Sequence, residues 1–375
     1  MFRAKPRSQP ISQLQLASAA LISVLLVPSC SEHTSCPSGP QPGPTIRAVP
    51  TPRGRHLVLS DEEIRALPIE GVAWDGLVAY AREPIEDPDL SDQNDRDNLR
   101  TLAKAILYIR TGDAKSRLEV IDACTKVIDT QAGSTLPLAR ELAAYVIAAD
   151  WVGLPPETDA AFRRFLDRVR RTSLGGKTLI STHESRPNNW GTHAGATRIA
   201  IARYLHDDTD LAAAARVFQG WLGDRDSYDA FEYRELSWQA DRSAPVGINP
   251  LGSTLEGHSV DGCLPDDQRR GGSFVWPPPR ENYAYEALQG AVLQAILLDR
   301  AGYDVWQWQD RALWRAFRWL ETEANFPAEG DDEWQPFVVR HFSGVDSPPT
   351  PLPEAERAAQ PGKNFGFTDW LYGSP

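Results

Sequence analysis

Two polar side chains suited to proton transfer and anion binding lie one helical turn apart in the middle of the chain. Asn189 and His193 occupy positions i and i+4 of a segment whose apolar spacing predicts a helix from Asn189 to Leu205. A carboxamide and an imidazole on one helix face can hold an acidic group and move a proton. The helix start adds free N–H donors and partial positive charge, which favour an anion. The same spacing also fits a capping asparagine and a buried structural histidine, so both interpretations stay open.

A charged loop, Leu264–Gly272, offers a second anion-binding candidate. Its Arg269–Arg270 pair can clamp a carboxylate, because a guanidinium binds a carboxylate through two parallel hydrogen bonds. The composition of the loop fits a surface ion-pair segment equally well, since acids and arginines are close neighbours in it.

The acids of this region support a rival chemistry. Asp266 and Asp267, with Asp261 nearby, can serve as the carboxylate pair of a glycoside hydrolase. Adjacent aspartates are usually just solvated, which favours the arginine-based interpretation. A non-catalytic surface protein that binds glycans is the third alternative.

Aromatic and imidazole side chains flank both segments. Trp190, Trp238 and Trp276 can stack on sugar rings, and His183 and His258 can reach the same cleft. Lone histidines are more often structural than functional, so both roles stay open for these two. The sequence contains no Gly-rich phosphate loop, no His-Glu-x-x-His zinc motif and no Gly-x-Ser-x-Gly elbow. We therefore predict neither a cofactor nor a metal site.

Three segments resemble the alginate lyase family. The run Arg186–His193 (Arg-Pro-Asn-Asn-Trp-Gly-Thr-His) is similar to the Asn-Asn-His-x-x-aromatic signature of that family. Asn282–Leu288 resembles its tyrosine-containing helix, which follows an arginine-bearing loop, and Pro361–Trp370 resembles the tails of such proteins. The resemblance implies an α/α toroid that cleaves uronate polymers by β-elimination, with an acidic polysaccharide or oligosaccharide as substrate.

The resemblance also implies roles for individual residues. Asn189 would neutralise the uronate carboxylate beside Asn188, and Tyr283, with Tyr285 as its rival, would be the proton-transfer tyrosine. The arginine would come from Arg269–Arg270 or from Arg280. The chain departs from the family signature where Trp190 follows the second asparagine, with the histidine three residues later as His193. Either His193 acts from the next helical turn, or Tyr283 serves as both base and acid.

The elements that must position these residues are almost all helices. Apolar periodicity predicts an all-α fold, a capping box at Ser60–Glu63 predicts a helix start, and Gly112 predicts a helix end. Helices are predicted at Asp95–Ile109, Leu118–Ile128, Leu136–Val152, Ala160–Val169, Asn189–Leu205, Leu211–Leu222, Tyr283–Arg300 and Trp306–Glu321. Because the connectors are short, neighbouring helices are predicted to be antiparallel. Because no fixed-period repeat supports a solenoid, an α/α toroid, an incomplete ring of helical hairpins with long loops and an extended tail, is the predicted fold.

The chain divides into three segments by composition. Residues 1–30 have the basic start and short apolar run of a signal peptide, and Cys30 ends a lipobox-like junction. Residues 31–56 are rich in Pro, Ser and Gly, as in a flexible tether. Residues 57–375 form one predicted domain. We expect an exported protein, periplasmic or at the cell surface, whose only membrane attachment is a lipid on Cys30.

The formal net charge of −12 argues against nucleic acid as a partner and against a polybasic membrane surface. A local basic cleft can still bind a polyanion. Only Cys124 and Cys263 lie in the predicted domain, so they imply no disulfide framework. They either pair with each other or remain as two buried free thiols.

Overall fold

The computed structural model describes residues 49–343 and 357–373 of the chain. The predicted leader, the junction at Cys30 and most of the tether fall outside these residues. These described residues belong to one compact unit. Within the described residues, each helix is too short or too polar to cross a membrane.

Helices dominate the described residues. They are α1 (Asp61–Ala66), α2 (Val72–Arg82), α3 (Asp97–Thr111), α4 (Ala114–Val127), α5 (Thr135–Val152), α6 (Pro156–Val169), α7 (Leu179–Ser185), α8 (Asn189–Leu205), α9 (Asp208–Trp221), α10 (Pro265–Gln268), α11 (Asn282–Arg300), α12 (Trp308–Thr322), α13 (Gln335–Ser343) and α14 (Thr368–Leu371). Single 3-10 turns occur at Arg269–Gly271, Val305–Gln307 and Gly330–Asp332. A two-stranded antiparallel hairpin pairs β1 (Thr254–Leu255) with β2 (His258–Ser259).

The ends of several helices follow from local chemistry. The Ser60 hydroxyl accepts the N–H of Glu63 while the Glu63 carboxylate accepts the N–H of Ser60, which confirms the predicted capping box. Gly112 ends α3 in the left-handed region at φ 78°, where a side chain would be strained, as predicted. The Asp113 carboxylate then accepts the N–H groups of Lys115 and Ser116 and starts α4.

The long helices form a ring. Helix α5 packs between α3 and α8, and α8 packs against α11, while α4 and α9 pack on the outside of this row. Helices α13 and α14 continue from α11 to α2, and α2 packs on α3. Two residues separate α3 from α4, so these two run antiparallel, and the row α3, α5, α8 and α11 is parallel. The predicted α/α toroid is confirmed.

The backbones of α8 and α11 approach each other closely. A Cβ on Gly290 would lie 2.4 Å from the backbone N of His193 and equally close to the carbonyl carbon of Thr192. Only glycine therefore lets the two helices meet at this level. The side-chain amide of Gln294 donates to the carbonyl of Thr192 at 2.9 Å and fixes the register. The approach places side chains from the first turns of both helices side by side.

The tail and the thiols have clear outcomes. Trp334, Trp370 and Tyr372 are all buried, so the aromatic residues of the tail pack into the core. Cys124 and Cys263 are buried, free thiols rather than a disulfide. Five helices were not predicted, since each is short and its apolar periodicity spans few turns: α2, α7, α10, α13 and α14.

Candidate functional site

The start of α8 is built by two capping contacts. The Asn188 side chain accepts the N–H of Trp190 at 3.2 Å, and the Asp267 carboxylate accepts the N–H of Asn189 at 3.2 Å. Because the row α3, α5, α8 and α11 is parallel, four helix N-termini face the same end of the ring. Each carries partial positive charge, while the N–H groups of the first turn of α8 already have acceptors in Asp267 and Asn188. This end therefore favours an anion despite the negative net charge of the chain.

Arg270 joins two of the predicted site residues. Its guanidinium carbon lies 4.0 Å from the centre of the Tyr283 ring, and its Nη2 donates to Asn189 Oδ1 at 3.4 Å. Its buried Nε has no hydrogen-bond partner among the described residues. No carboxylate of the described chain lies within ion-pair distance of it, whereas Arg269 beside it pairs with Asp266 at 2.9 Å. Arg270 thus keeps a charge that an incoming carboxylate can satisfy.

Tyr283 and Asn189 differ in access. Tyr283, on the first turn of α11, is 41% exposed, while Asn189, on the first turn of α8, is 1% exposed. The phenol thus faces solvent at the open end of the ring, and the carboxamide lies behind it, bonded to Arg270. This arrangement provides a hydroxyl for proton transfer next to a guanidinium and an amide for holding an acid.

A second polar layer lies one helical turn below. His193 follows Asn189 by four residues on α8, and Glu286 follows Tyr283 by three on α11, so each pair shares a helix face. Glu286 forms an ion pair with Arg140 of α5, and its Oε2 lies 3.9 Å from His193 Nε2. The imidazole is fully buried, and neither ring nitrogen has a hydrogen-bond partner among the described residues.

Burial controls the protonation of this layer. Desolvation lowers the pKa of His193 well below its usual range, and the charge of Arg140 lowers it further. Desolvation raises the pKa of Glu286 while Arg140 opposes that rise. Desolvation, with Asp266 as a second cause, raises the pKa of Asp267 well above its usual range. His193 is therefore neutral near pH 7.

The other predicted binding residues lie around this cluster or away from it. Trp190 is half-buried, with the guanidinium of Arg186 5.9 Å from its ring. Arg280 is exposed and lies 6.0 Å from the centre of the Phe326 ring, so it is not part of the Arg270 cluster. His258 and Trp276 stack on each other at 4.4 Å and 8° between planes. They form a partly exposed platform on the loops that precede α11.

Three predicted residues are placed inside the core instead. Tyr285 is fully buried and its hydroxyl donates to the carbonyl of Phe326 at 2.9 Å, so Tyr283 is the tyrosine that faces the open end. His183 of α7 is buried beside Gln294, where desolvation lowers its pKa well below its usual range. Trp238 is also buried, and its indole N–H donates to the carbonyl of Gly272.

Arg140 and Glu286 were missed as site residues. Both are charged residues in helices that are otherwise apolar on nearly every face, α5 and α11. Charged residues are almost never fully buried unless paired, so an acid or base inside such a helix is itself a signal of a buried partner. The sequence therefore indicates that Arg140 and Glu286 each have a buried partner, but it does not show that they pair with each other.

The aspartates that would serve a glycoside hydrolase already have ion-pair or hydrogen-bond partners within the chain. Asp261 pairs with Arg315 at 2.6 Å and with Arg318 at 3.4 Å, and Asp266 pairs with Arg269. Asp267 is 1% exposed and caps α8. Residues 49–343 and 357–373 hold no cluster of three His, Cys, Asp or Glu side chains with metal-binding geometry.

A cavity of about 750 Å³ lies at the other end of the ring. It is lined by Arg203, Tyr204 and His206 at the end of α8 and by the segment that leads into α1. Helix α8 has 17 residues, so this cavity is about 25 Å from Asn189 at a rise of about 1.5 Å per residue. It is therefore separate from the Arg270 cluster.

Comparison with known proteins identifies the central segment. Residues 96–229 match the family model described as alginate lyase. This segment is similar to the alginate lyase family. The match contains the run Asn188–His193 and ends before Arg270 and Tyr283, so the similarity covers α8 but not the start of α11. No curated protein matches the chain.

Solved structures extend the likeness to most of the chain. Alginate lyase A1-III from Sphingomonas species A1 matches with a TM-score of 0.53 and 14% identity, covering 88% of this chain and 98% of that one. A histidine-to-alanine variant of alginate lyase A1-III in complex with a tetrasaccharide matches with a TM-score of 0.51 and 14% identity, covering 89% of this chain and 99% of that one. At this identity the likeness establishes the α/α toroid. Together with the alginate lyase segment, it supports a polysaccharide lyase.

Proposed function

We propose that this protein cleaves an acidic, uronate-containing polysaccharide such as alginate by β-elimination. The observation that carries the proposal is Arg270, whose guanidinium contacts both Tyr283 and Asn189 and has no carboxylate partner among the described residues. An unpaired guanidinium beside a solvent-exposed phenol is what an acidic sugar requires at the point of cleavage.

The first requirement of the reaction is neutralisation of the uronate carboxylate. The proton on C5 is only weakly acidic, and hydrogen bonds or a cation on the adjacent carboxylate stabilise the charge that develops when it leaves. The site supplies the guanidinium of Arg270, the amide of Asn189 and the positive end of the α8 dipole at one place. The carboxylate would displace the long 3.4 Å contact between Arg270 and Asn189.

The second requirement is a base for the C5 proton and an acid for the departing O4. The electron pair of the C5–H bond forms the C4–C5 double bond, the C4–O4 bond breaks, and O4 takes up a proton. Tyr283 is exposed and can reach the sugar, whereas His193 has no exposed surface. We therefore assign both proton transfers to Tyr283 and a supporting role to His193.

The relatives support an acidic substrate and leave its identity to experiment. The alginate lyase A1-III variant was solved with a tetrasaccharide. In this chain Trp190 occupies the position after the second asparagine, where the family signature has histidine. A half-buried indole there offers a flat surface to a sugar ring, which changes the shape of the cleft.

A panel of polyuronates and neutral glycans tests the function. Elimination produces a conjugated C4–C5 double bond, which is detected by ultraviolet absorbance, and leaves product masses without added water. Products that have gained water would favour the glycoside hydrolase, and binding without turnover would favour the glycan-binding protein. We further propose export to the periplasm or cell surface, since a polysaccharide substrate lies outside the cytoplasm.

A further inference from the structure

We propose that Glu286 is a positioning residue for the proton-transfer site, which orients the buried His193 and, with Arg140, balances the charge beneath Tyr283. This inference rests on the proposed function only for its effect on catalysis. Its structural part, the coupling of Glu286 to the His193 ring, stands independently.

The geometry places Glu286 at a junction of three helices. It extends from α11, forms an ion pair with Arg140 of α5, and lies 3.9 Å from the Nε2 of His193 on α8. Gly290, one turn further along α11, lets the backbones of α8 and α11 meet at this level. A carboxylate at this point can fix the tautomer and the ring orientation of an imidazole whose other polar neighbour is the main chain of Glu286 itself.

The same geometry places one balanced pair of charges under the site. Arg140 is 6% exposed and Glu286 is 9% exposed, so water screens neither charge effectively. The other titratable groups that act on Glu286 or respond to it are His193, Lys363, Asp331 and Asp332. Lys363 pairs with Asp331 at 2.8 Å and Asp332 accepts a hydrogen bond from Gln289, so these groups have partners of their own.

Removing one member of the pair therefore changes the charge beneath Tyr283 in a known direction. Glu286→Gln keeps the side-chain shape and leaves Arg140 as a net positive charge, which favours the deprotonated form of the group that acts as base. Arg140→Met removes the cation that opposes the desolvation of Glu286, so burial favours the neutral acid, and the part that stays ionised has the opposite effect. The double variant removes both charges and restores the balance. A purely structural pair would lower stability without moving the pH dependence of Glu286→Gln.

The test combines turnover with a measurement that does not need turnover. In the pH–rate profile of the folded enzyme, we expect the acidic limb to move to lower pH in Glu286→Gln by about 0.5–1 pH unit. It should stay in place or move to higher pH in Arg140→Met, where Glu286 loses its cation, and lie near the parental position in the double variant. Circular dichroism confirms folding, and if Arg140→Met alone fails to fold, Glu286→Gln and the double variant still decide the question.

The second measurement is the ¹⁵N spectrum of the seven histidines, with His193 assigned through His193→Gln. We expect Glu286→Gln to change the tautomer or ring signals of His193. Asp210→Asn, which breaks the buried pair between Asp210 of α9 and Arg198 of α8, should leave them unchanged. Unchanged His193 signals together with unshifted profiles would overturn the inference while elimination by the parent still stands. An inactive parent with altered His193 signals would contradict the proposed function instead.

Discussion

The guanidinium of Arg270 lies 4.0 Å from the centre of the Tyr283 ring and reaches Asn189 with its Nη2 at 3.4 Å. These three residues come from the loop after α10, the start of α11 and the start of α8. Their convergence depends on the parallel row of long helices, because parallel helices bring their N-termini to one end of the ring. The fold thus combines partial positive charge, a guanidinium and an exposed phenol at a single point.

Replacing Arg270 tests its role as the carboxylate clamp. Arg270→Lys keeps the charge but loses the planar fork and the stacking on Tyr283, so we expect catalytic efficiency to fall by about tenfold or more. Arg270→Met should cost more. The control is Arg318→Lys, whose guanidinium lies 5.5 Å from the centre of the Trp314 ring away from the cluster. Steady-state kinetics on the best polyuronate would contradict the clamp if both lysine variants behaved alike.

His193→Ala separates the two proton-transfer mechanisms that the sequence left open. The imidazole is fully buried, so its removal leaves a cavity and should destabilise the fold by about 2–4 kcal/mol. Turnover of the folded variant should fall on the order of tenfold, less than the loss for an acting base. Thermal unfolding and single-substrate kinetics measure the two effects. A rate loss as large as that of Tyr283→Phe would make His193 the base.

The N-terminal segment before α1 provides a prediction about pH. His56 Nδ1 lies 3.0 Å from Asp150 and its Nε2 lies 3.3 Å from Asp61. The hydrogen bond that His56 donates to Asp150 is the largest influence on the pKa of His56 and raises it. The charges of both aspartates also raise this pKa, while desolvation and Arg55 oppose the rise. A raised folded-state pKa means that the charged His56 stabilises the fold fully below its unfolded value of about 6.5, and that this stability is lost as pH rises through the folded value.

We therefore expect His56→Gln to cost more stability in acid than in base. The difference between parent and variant should be on the order of 1 kcal/mol at about pH 5.5 and should shrink by about pH 9. Chemical denaturation at both pH values measures it. A difference that stays constant or grows toward high pH would show that His56 acts through packing alone.

Much of this organisation could be predicted from the sequence, for reasons specific to each element. The helix from Asn189 to Leu205 was predicted with its bounds, because its apolar periodicity is long and Asn188 caps its start. The contact between Arg270 and Tyr283 could not be predicted, since it depends on how the loop 271–281 folds back on α11. The Arg140–Glu286 pair joins residues 146 positions apart, a pairing that local patterns do not encode.

Export is tested through Cys30, which lies outside the described residues. The apolar run and the small residue before Cys30 predict cleavage and lipidation there. Cys30→Ser should move the mature protein from the membrane fraction to the soluble fraction of a bacterial host. Identical fractionation of variant and parent would contradict the lipid anchor, and an uncleaved leader in the cytoplasm would contradict export altogether.

The most direct test of the proposed function is the formation of the C4–C5 double bond by the parent and by Tyr283→Phe on the same polyuronate. The phenylalanine keeps the ring against Arg270 but has no proton to transfer, so we expect the rate of double-bond formation to fall by about 10²–10⁴. Tyr303→Phe, which alters a partly buried tyrosine away from the cluster, should keep the parental rate. Near-parental double-bond formation by folded Tyr283→Phe would contradict the central role of Tyr283, and products that have gained water would contradict elimination itself.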